Sequence, residues 1–142
     1  MKLSFIIFLF IVAALFIYTN FYVTGKVSTV IDGDTLKMED GKVIRLLGID
    51  SHEIGESCYE KAKEKLNSFV DGKEIRVESD STDRDYYGRI LRYVFVGDLF
   101  ISVEMIRLGY AKFYELGNNE KYSELFLEME DKARKAKKCI LN

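Results

Sequence analysis

Apolar and polar residues alternate along several short stretches of the chain, which is the pattern of strands with one buried face. Residues 26–31 alternate in this way with β-branched side chains, and the turn sequence DGD follows them. A second stretch covers residues 35–38, the tight-turn pair Asp40 and Gly41 comes next, and residues 42–49 return with mostly apolar side chains. The pattern predicts a three-stranded meander.

Helical spacing of apolar residues appears in three later segments. Residues 57–70 predict a helix in which Ser57 and Glu60 form a capping box. Residues 102–108 predict a short helix capped by its first residue, and residues 122–136 carry one apolar stripe on a long charged helix.

Two further strands, predicted at residues 73–78 and 89–96, bring the total to five strands. Strands and helices do not alternate as in parallel α/β folds, so the fold class is mainly β with helices (α+β). Five short strands with three helices indicate a small barrel with helices outside, as in an OB-fold, over residues 26–142.

An apolar segment precedes this domain, within residues 1–25. Residues 3–23 are long enough as one hydrophobic helix to cross a hydrocarbon layer of about 30 Å. A cleaved secretory signal is the alternative, but cutting after the small residues at 12–14 would leave three apolar residues at the new terminus. We expect a membrane anchor that holds the domain outside the cytoplasm, with secretion after cleavage as the alternative.

The composition is that of a globular protein, with 48% apolar and 31% charged residues. The formal net charge is −2, so no bulk cationic field would hold a polyanion, and any contact with nucleic acid must be local. The two cysteines, Cys58 and Cys139, could form a disulfide in an oxidising compartment or remain two separate thiols.

Carboxylates collect where the predicted meander turns. Asp34 begins one strand, whereas Asp50 and Glu53 follow the end of a neighbouring strand, so all three can meet at one edge of the barrel. Clustered carboxylates repel one another unless a cation lies between them, and oxygen ligands select calcium or magnesium. The alternative is a set of solvated turn residues. Arg45, which lies between apolar neighbours, favours a site for an anionic phosphate, with a structural salt bridge as the alternative.

A second polar stretch, DRDYYGR at residues 83–89, bends the chain at Gly88 and starts the fifth strand at Arg89. Alone it is typical of a solvated turn. Together with the first group, it predicts two arginines and a carboxylate-bound cation that face one volume.

Four motifs in order, VIDGDT, IRLLGID, DYYGR and LGYAKF, resemble the staphylococcal nuclease (thermonuclease) family from about Lys26 to the C-terminus. The resemblance implies a five-stranded OB barrel with three helices. It also implies a calcium-dependent nuclease that cleaves DNA and RNA, with single strands preferred, and leaves 3′-phosphate ends. A monomer with one calcium ion is expected.

The resemblance also implies the role of each site residue. The calcium ligands of the family correspond to Asp34, Asp50 and the backbone carbonyl of Ser51. Asp32 corresponds to a nearby acid that does not itself bind the ion.

The remaining roles concern the reaction and the substrate. Glu53 corresponds to the general base, Arg45 and Arg89 to the pair that stabilises the transition state, and Tyr87 to a side chain that contacts the nucleotide. His52 stands where the family usually has proline, and we expect it to be an exposed loop residue without a catalytic task; the alternative is that it joins the site as a second titrating group.

Two functions of other classes remain open from the sequence. A noncatalytic OB module could bind single-stranded nucleic acid through aromatic side chains and a basic groove. A structural membrane protein would leave the cluster of acids and arginines unexplained.

Overall fold

The structure, a computed structural model, describes residues 2–21 and 23–135. The helices are α1 (Lys2–Phe21), α2 (Tyr59–Val70), α3 (Ile101–Arg107) and α4 (Ser123–Lys135). The strands are β1 (Val23–Val30), β2 (Thr35–Met38), β3 (Val43–Leu46), β4 (Gly48–Ser51), β5 (Glu74–Glu78), β6 (Ile90–Val96), β7 (Leu99–Phe100) and β8 (Ala111–Tyr114). Within these described residues, no helix combines the length and the apolar character needed to cross a membrane.

Five strands close into a barrel. β1 pairs antiparallel with β2 and β5, β2 pairs with β3, and β5 pairs with β6. The parallel pairing of β3 with β6 closes the ring. The short strand β7 pairs antiparallel with the C-terminal end of β6. The predicted five-stranded barrel with helices is therefore confirmed, and β1 begins three residues before its predicted start.

The core fills the barrel and the space under the helices, because the alternating strand residues point inward and each helix buries one stripe. The strands contribute fully buried residues such as Leu36, Leu46, Ile75 and Tyr93. α2 contributes Leu66 to the core. α3 and α4 pack against each other. Burying each large aliphatic side chain contributes about 1.5–3 kcal/mol.

The third predicted strand, residues 42–49, is broken in the structure. β3 ends at Leu46, and β4 starts at Gly48, whose φ is +80°. A Cβ at this glycine would overlap the ring of Phe126 on α4. The chain therefore changes direction here, and β4 leaves the barrel sheet to pair with β8, a strand that the sequence did not predict.

Both predicted helix caps are wrong. α2 begins at Tyr59, after Cys58 at the N-cap, so Ser57 and Glu60 do not form a capping box. The hydroxyl of Ser102 lies inside α3 and donates a 2.8 Å hydrogen bond to the carbonyl of Leu47. This bond anchors α3 to the bend between β3 and β4.

Cys58 is buried and disulfide-bonded. The sequence left open a disulfide between Cys58 and Cys139 or two separate thiols; Cys58 is not a free thiol, and Cys139 lies outside the described residues.

Candidate active site

The two polar groups predicted from the sequence meet in one cavity of about 680 Å³. Every residue to which the sequence assigned a site role lines it: Asp32, Asp34, Arg45, Asp50, Ser51, Glu53, Tyr87 and Arg89. The geometry brings these residues together, whereas their individual roles stay predictions.

Asp34 is a buried carboxylate at the start of β2, with 7% of its surface exposed. Its Oδ2 atom accepts a 2.8 Å hydrogen bond from the backbone N–H of Ser51, and its Oδ1 atom accepts one from the hydroxyl of Thr35. Burial raises the pKa of Asp34 to about 6, although the nearby Arg45 guanidinium opposes the shift and Asp32 adds to it.

Arg45 connects the two halves of the acid cluster. The residue is 4% exposed, and Nη1 donates to the carbonyls of Leu46 and Ile49 at 3.0 and 2.7 Å. Nη2 lies 3.1 Å from Asp34 Oδ2 and 3.1 Å from Asp50 Oδ1. One buried cation thus compensates both carboxylates, with its donors fixed by the barrel backbone.

Asp50 and Ser51 lie side by side on β4. Asp50 is partly exposed, and its Oδ2 atom lies 3.7 Å from the ammonium of Lys112 on β8. The donors on this side of the cavity are the carboxylates of Asp34 and Asp50 together with backbone carbonyls, which is the chemistry of a hard cation such as calcium or magnesium. Among the described residues, however, no three acidic, histidine or cysteine side chains gather closely enough to form a metal site by themselves.

The turn before β6 places the second arginine. The carboxylate of Asp85 accepts hydrogen bonds from the Arg89 Nε at 2.6 Å, from the Arg89 backbone N–H and from the Tyr87 backbone N–H. Burial alone would raise the pKa of Asp85, but the bonds from Arg89 outweigh it and hold the pKa below 3.8. Arg89 is therefore held at the cavity wall with 30% of its side chain exposed.

Two tyrosines stand at the rim beside Arg89. Tyr86 and Tyr87 are 99% and 82% exposed, and their rings meet edge to face with centroids 5.8 Å apart. The Arg89 guanidinium lies 5.5 Å from the centre of the Tyr87 ring. Exposed aromatic faces next to a guanidinium suit the stacking of unpaired bases.

Glu53 is exposed and lies in the turn between β4 and α2. Its backbone N–H donates a 2.6 Å hydrogen bond to Glu56 Oε2, a contact that the sequence did not indicate. The prediction that His52 is exposed is wrong, because the residue is 6% exposed. It lies directly after the buried Ser51 at the end of β4, and its Nδ1 atom is 3.6 Å from the same Glu56 oxygen.

The sequence also gave no indication of the role of Asn119. Its Oδ1 atom accepts a 2.7 Å hydrogen bond from the backbone N–H of Thr82, and its Nδ2 atom donates to the carbonyls of Thr82 and Leu116. This buried side chain fastens two loops that both line the cavity. The sequence Gly-Asn-Asn, which ends with Asn119 itself, indicates only a turn, because the partner loop is 37 residues away.

With this geometry in place, comparison with known proteins gives the family. A model of the family described as staphylococcal nuclease homologue matches residues 43–142. The chain belongs to the staphylococcal nuclease homologue family. The resemblance seen in the four motifs is thereby confirmed. The matched range contains Arg45, Asp50, Glu53 and Arg89, whereas Asp34 lies before its first residue.

Individual proteins are similar to most of the chain. The chain is 33% identical over 128 residues to the thermonuclease of Staphylococcus hyicus, covering 82% of this chain and 75% of the relative. It is 32% identical to the thermonuclease of Staphylococcus intermedius, covering 77% and 70%, respectively. An uncharacterized endonuclease of Escherichia coli is 35% identical over 100 residues, covering 68% of this chain and 64% of the relative.

Proposed function

We propose that this family member is a nuclease that hydrolyses the phosphodiester bonds of DNA and RNA. The observation that carries the proposal is that Arg45 on β3 and Arg89 in the turn before β6 line one cavity with Asp34, Asp50 and Glu53. Two guanidinium groups in one cavity with a carboxylate cluster suit a substrate with a phosphate at the reacting position. Relatives named thermonuclease and endonuclease support the same class of reaction.

In the proposed reaction, the carboxylate of Glu53 accepts a proton from a water molecule that attacks phosphorus. The bond from phosphorus to the 5′ oxygen breaks, that oxygen takes up a proton from a solvent water molecule, and the phosphate stays on the 3′ end. Arg45 and Arg89 donate hydrogen bonds to the phosphate oxygens as negative charge grows on them. A fixed donor of this kind contributes on the order of a hundredfold in rate, and a general base contributes about 10²- to 10⁴-fold.

A calcium ion is the second part of the proposal. Asp34, Asp50 and the carbonyl oxygen of Ser51 would hold one ion, and Asp32 supports them by accepting a 3.0 Å hydrogen bond from the backbone of Asp34. When bound, the ion supplies Lewis-acid stabilisation of the phosphate. The pKa of Asp34 near 6 leaves its carboxylate charged at neutral pH, as a ligand must be.

The rim suggests how the polymer is held. Tyr87 offers an exposed ring beside Arg89, so a base next to the scissile phosphate can stack on it. Stacking requires an unpaired base, which supports the preference for single strands. The net charge of −2 means that these local contacts have to supply most of the affinity.

Location is a separate proposal that depends on the residue pattern of 3–23 alone. We propose that the segment before β1, within residues 1–25, tethers a monomeric nuclease domain outside the cytoplasm. The mass of the mature protein decides between a retained anchor and a cleaved signal.

The test of function uses the full-length chain with denatured DNA, in calcium or in a chelator. We expect cleavage in calcium, none in the chelator, and products that carry 3′-phosphates. Glu53→Gln should lower the rate by about 10²-fold or more, since the base is lost. Glu60→Gln, which changes an exposed acid on α2, is the matched control and should cleave at the wild-type rate. Binding of DNA without breakdown would overturn the nuclease proposal in favour of a noncatalytic module.

A further inference from the structure

The turn that carries Glu53 is held by Glu56. Glu53, Ile54, Gly55 and Glu56 form a turn closed by a 3.0 Å hydrogen bond from the Glu56 N–H to the Glu53 carbonyl. Gly55 has φ +95°, the left-handed conformation that the third position of a type II turn requires. The backbone carbonyl of Glu56 also accepts a bond from the N–H of Tyr59, the first residue of α2.

The side chain of Glu56 then folds back onto the start of the turn. Its Oε2 atom accepts the Glu53 N–H at 2.6 Å and lies 3.6 Å from Nδ1 of His52. The peptide group before Glu53 is therefore bound by a carboxylate, a stronger acceptor than water or a carbonyl. β4 ends at Ser51, and the contacts of Glu56 connect the Glu53 backbone to His52 on one side and to the start of α2 on the other.

We propose that Glu56 is a positioning residue that fixes the backbone of Glu53, so that the Glu53 carboxylate enters the cavity at one place. This inference rests on the proposed role of Glu53 as general base. A general base has to lie within hydrogen-bond reach of the water that it activates, and a displacement of about 1 Å can lower a rate by on the order of a hundredfold.

A simpler role for Glu56 makes a different prediction. An acid shortly before α2 would stabilise the positive end of the helix dipole whether or not it touches Glu53. That role depends on charge, so Glu56→Gln and Glu56→Ala would behave alike. Positioning depends on an acceptor oxygen, which the amide of Glu56→Gln keeps and Glu56→Ala loses.

The first measurement is amide hydrogen exchange at Glu53 in the full-length chain. We expect the Glu53 N–H to exchange about tenfold faster in Glu56→Ala and within about threefold of wild type in Glu56→Gln, because one charge-assisted hydrogen bond is lost or replaced. The matched control is Glu60→Ala, which removes a neighbouring exposed acid outside the turn. Unchanged exchange in Glu56→Ala would overturn the proposal, and this result does not depend on the protein being a nuclease.

The second measurement is the kinetics of cleavage in calcium. We expect Glu56→Ala to lower kcat about tenfold with KM within about twofold, since the base is misplaced while the substrate contacts remain. Glu56→Gln should recover most of kcat, and Glu60→Ala should match wild type. Equal kcat in Glu56→Ala and Glu60→Ala would refute positioning, whereas a wild-type protein that does not cleave would refute the proposed function instead.

A double variant completes the test. If Glu56 acts through Glu53, then adding Glu56→Ala to Glu53→Gln should cost no further activity, because the base that it positions is already absent. A further tenfold loss in the double variant would show that Glu56 acts by another route and would overturn the proposal.

Discussion

Replacing Arg45 by methionine should damage both the fold and the reaction, whereas the same change at Arg89 should damage the reaction alone. The two arginines are proposed to bind one phosphate, yet their surroundings differ. Arg45 is buried with two carbonyls and two carboxylates around it. Arg89 is partly exposed and bonded to Asp85.

The size of the effect follows from what each variant leaves behind. Arg45→Met removes the buried cation that compensates Asp34 and Asp50 and leaves two carbonyls without their donor. Removing one partner of a buried ion pair costs about 3–5 kcal/mol, a large part of a typical total of about 5–15 kcal/mol. The four contacts are not additive, because Asp34 can take up a proton and the carbonyls can accept water.

Arg89→Met is the matched control. The carboxylate of Asp85 keeps its hydrogen bonds from the backbone N–H groups of Tyr87 and Arg89 after the side chain is gone. The lost pair is partly solvent-exposed, so the free energy of unfolding should fall by about 1 kcal/mol or less.

Urea unfolding of the full-length variants in a chelator, followed by circular dichroism, measures the free energies. Cleavage of denatured DNA in calcium measures the reaction, and each variant should lose on the order of a hundredfold in rate. The reasoning fails if Arg45→Met is no less stable than Arg89→Met. It fails equally if Arg89→Met cleaves at the wild-type rate.

Two further predictions concern the scaffold. Gly48→Ala should lower the free energy of unfolding by about 2 kcal/mol or more, because φ is +80° and the new Cβ meets the Phe126 ring. Gly72 also has a positive φ but lies in open space, so Gly72→Ala should lower the free energy of unfolding by about half as much. Equal losses in urea unfolding would contradict this. Burial opposes ionisation of Asp80, but hydrogen bonds from the Tyr93 hydroxyl and from neighbouring groups hold its pKa below 3.8. The stability that it contributes is present above that pH and is lost on acidification, so Asp80→Asn should flatten the fall in unfolding free energy from about pH 5 to about pH 3, and an unchanged slope would contradict this.

The sequence predicted the barrel because alternation is a local signal. A strand that buries one face keeps an apolar period of two in its sequence, as in residues 74–78, where Ile75 and Val77 are buried between polar residues. The glycines and acids between strands marked the turns. The same signal placed the site residues at strand ends, which is why they gather in one cavity.

Features that depend on distant contacts were missed. β4 and β8 form a separate ladder whose partners are far apart in the chain, and the apolar run of residues 42–49 hides the bend between β3 and β4. The burial of His52 depends on its place after β4, and the Asn119 bonds join loops 37 residues apart. The burial of His52 and the bonds of Asn119 leave no periodic pattern in the sequence.

The bend at Gly48 explains why Arg45 and Asp50 can meet at all. In one continuous strand, side chains five positions apart point to opposite faces of the sheet, so these two residues would lie on different sides of the barrel wall. Because β3 ends at Leu46 and β4 starts in a new direction, Arg45 Nη2 comes within 3.1 Å of Asp50. The packing of Phe126 against this glycine therefore contributes to the geometry of the site as well as to the core. The distance between the two charged groups in Gly48→Ala should increase if the bend is what brings them together.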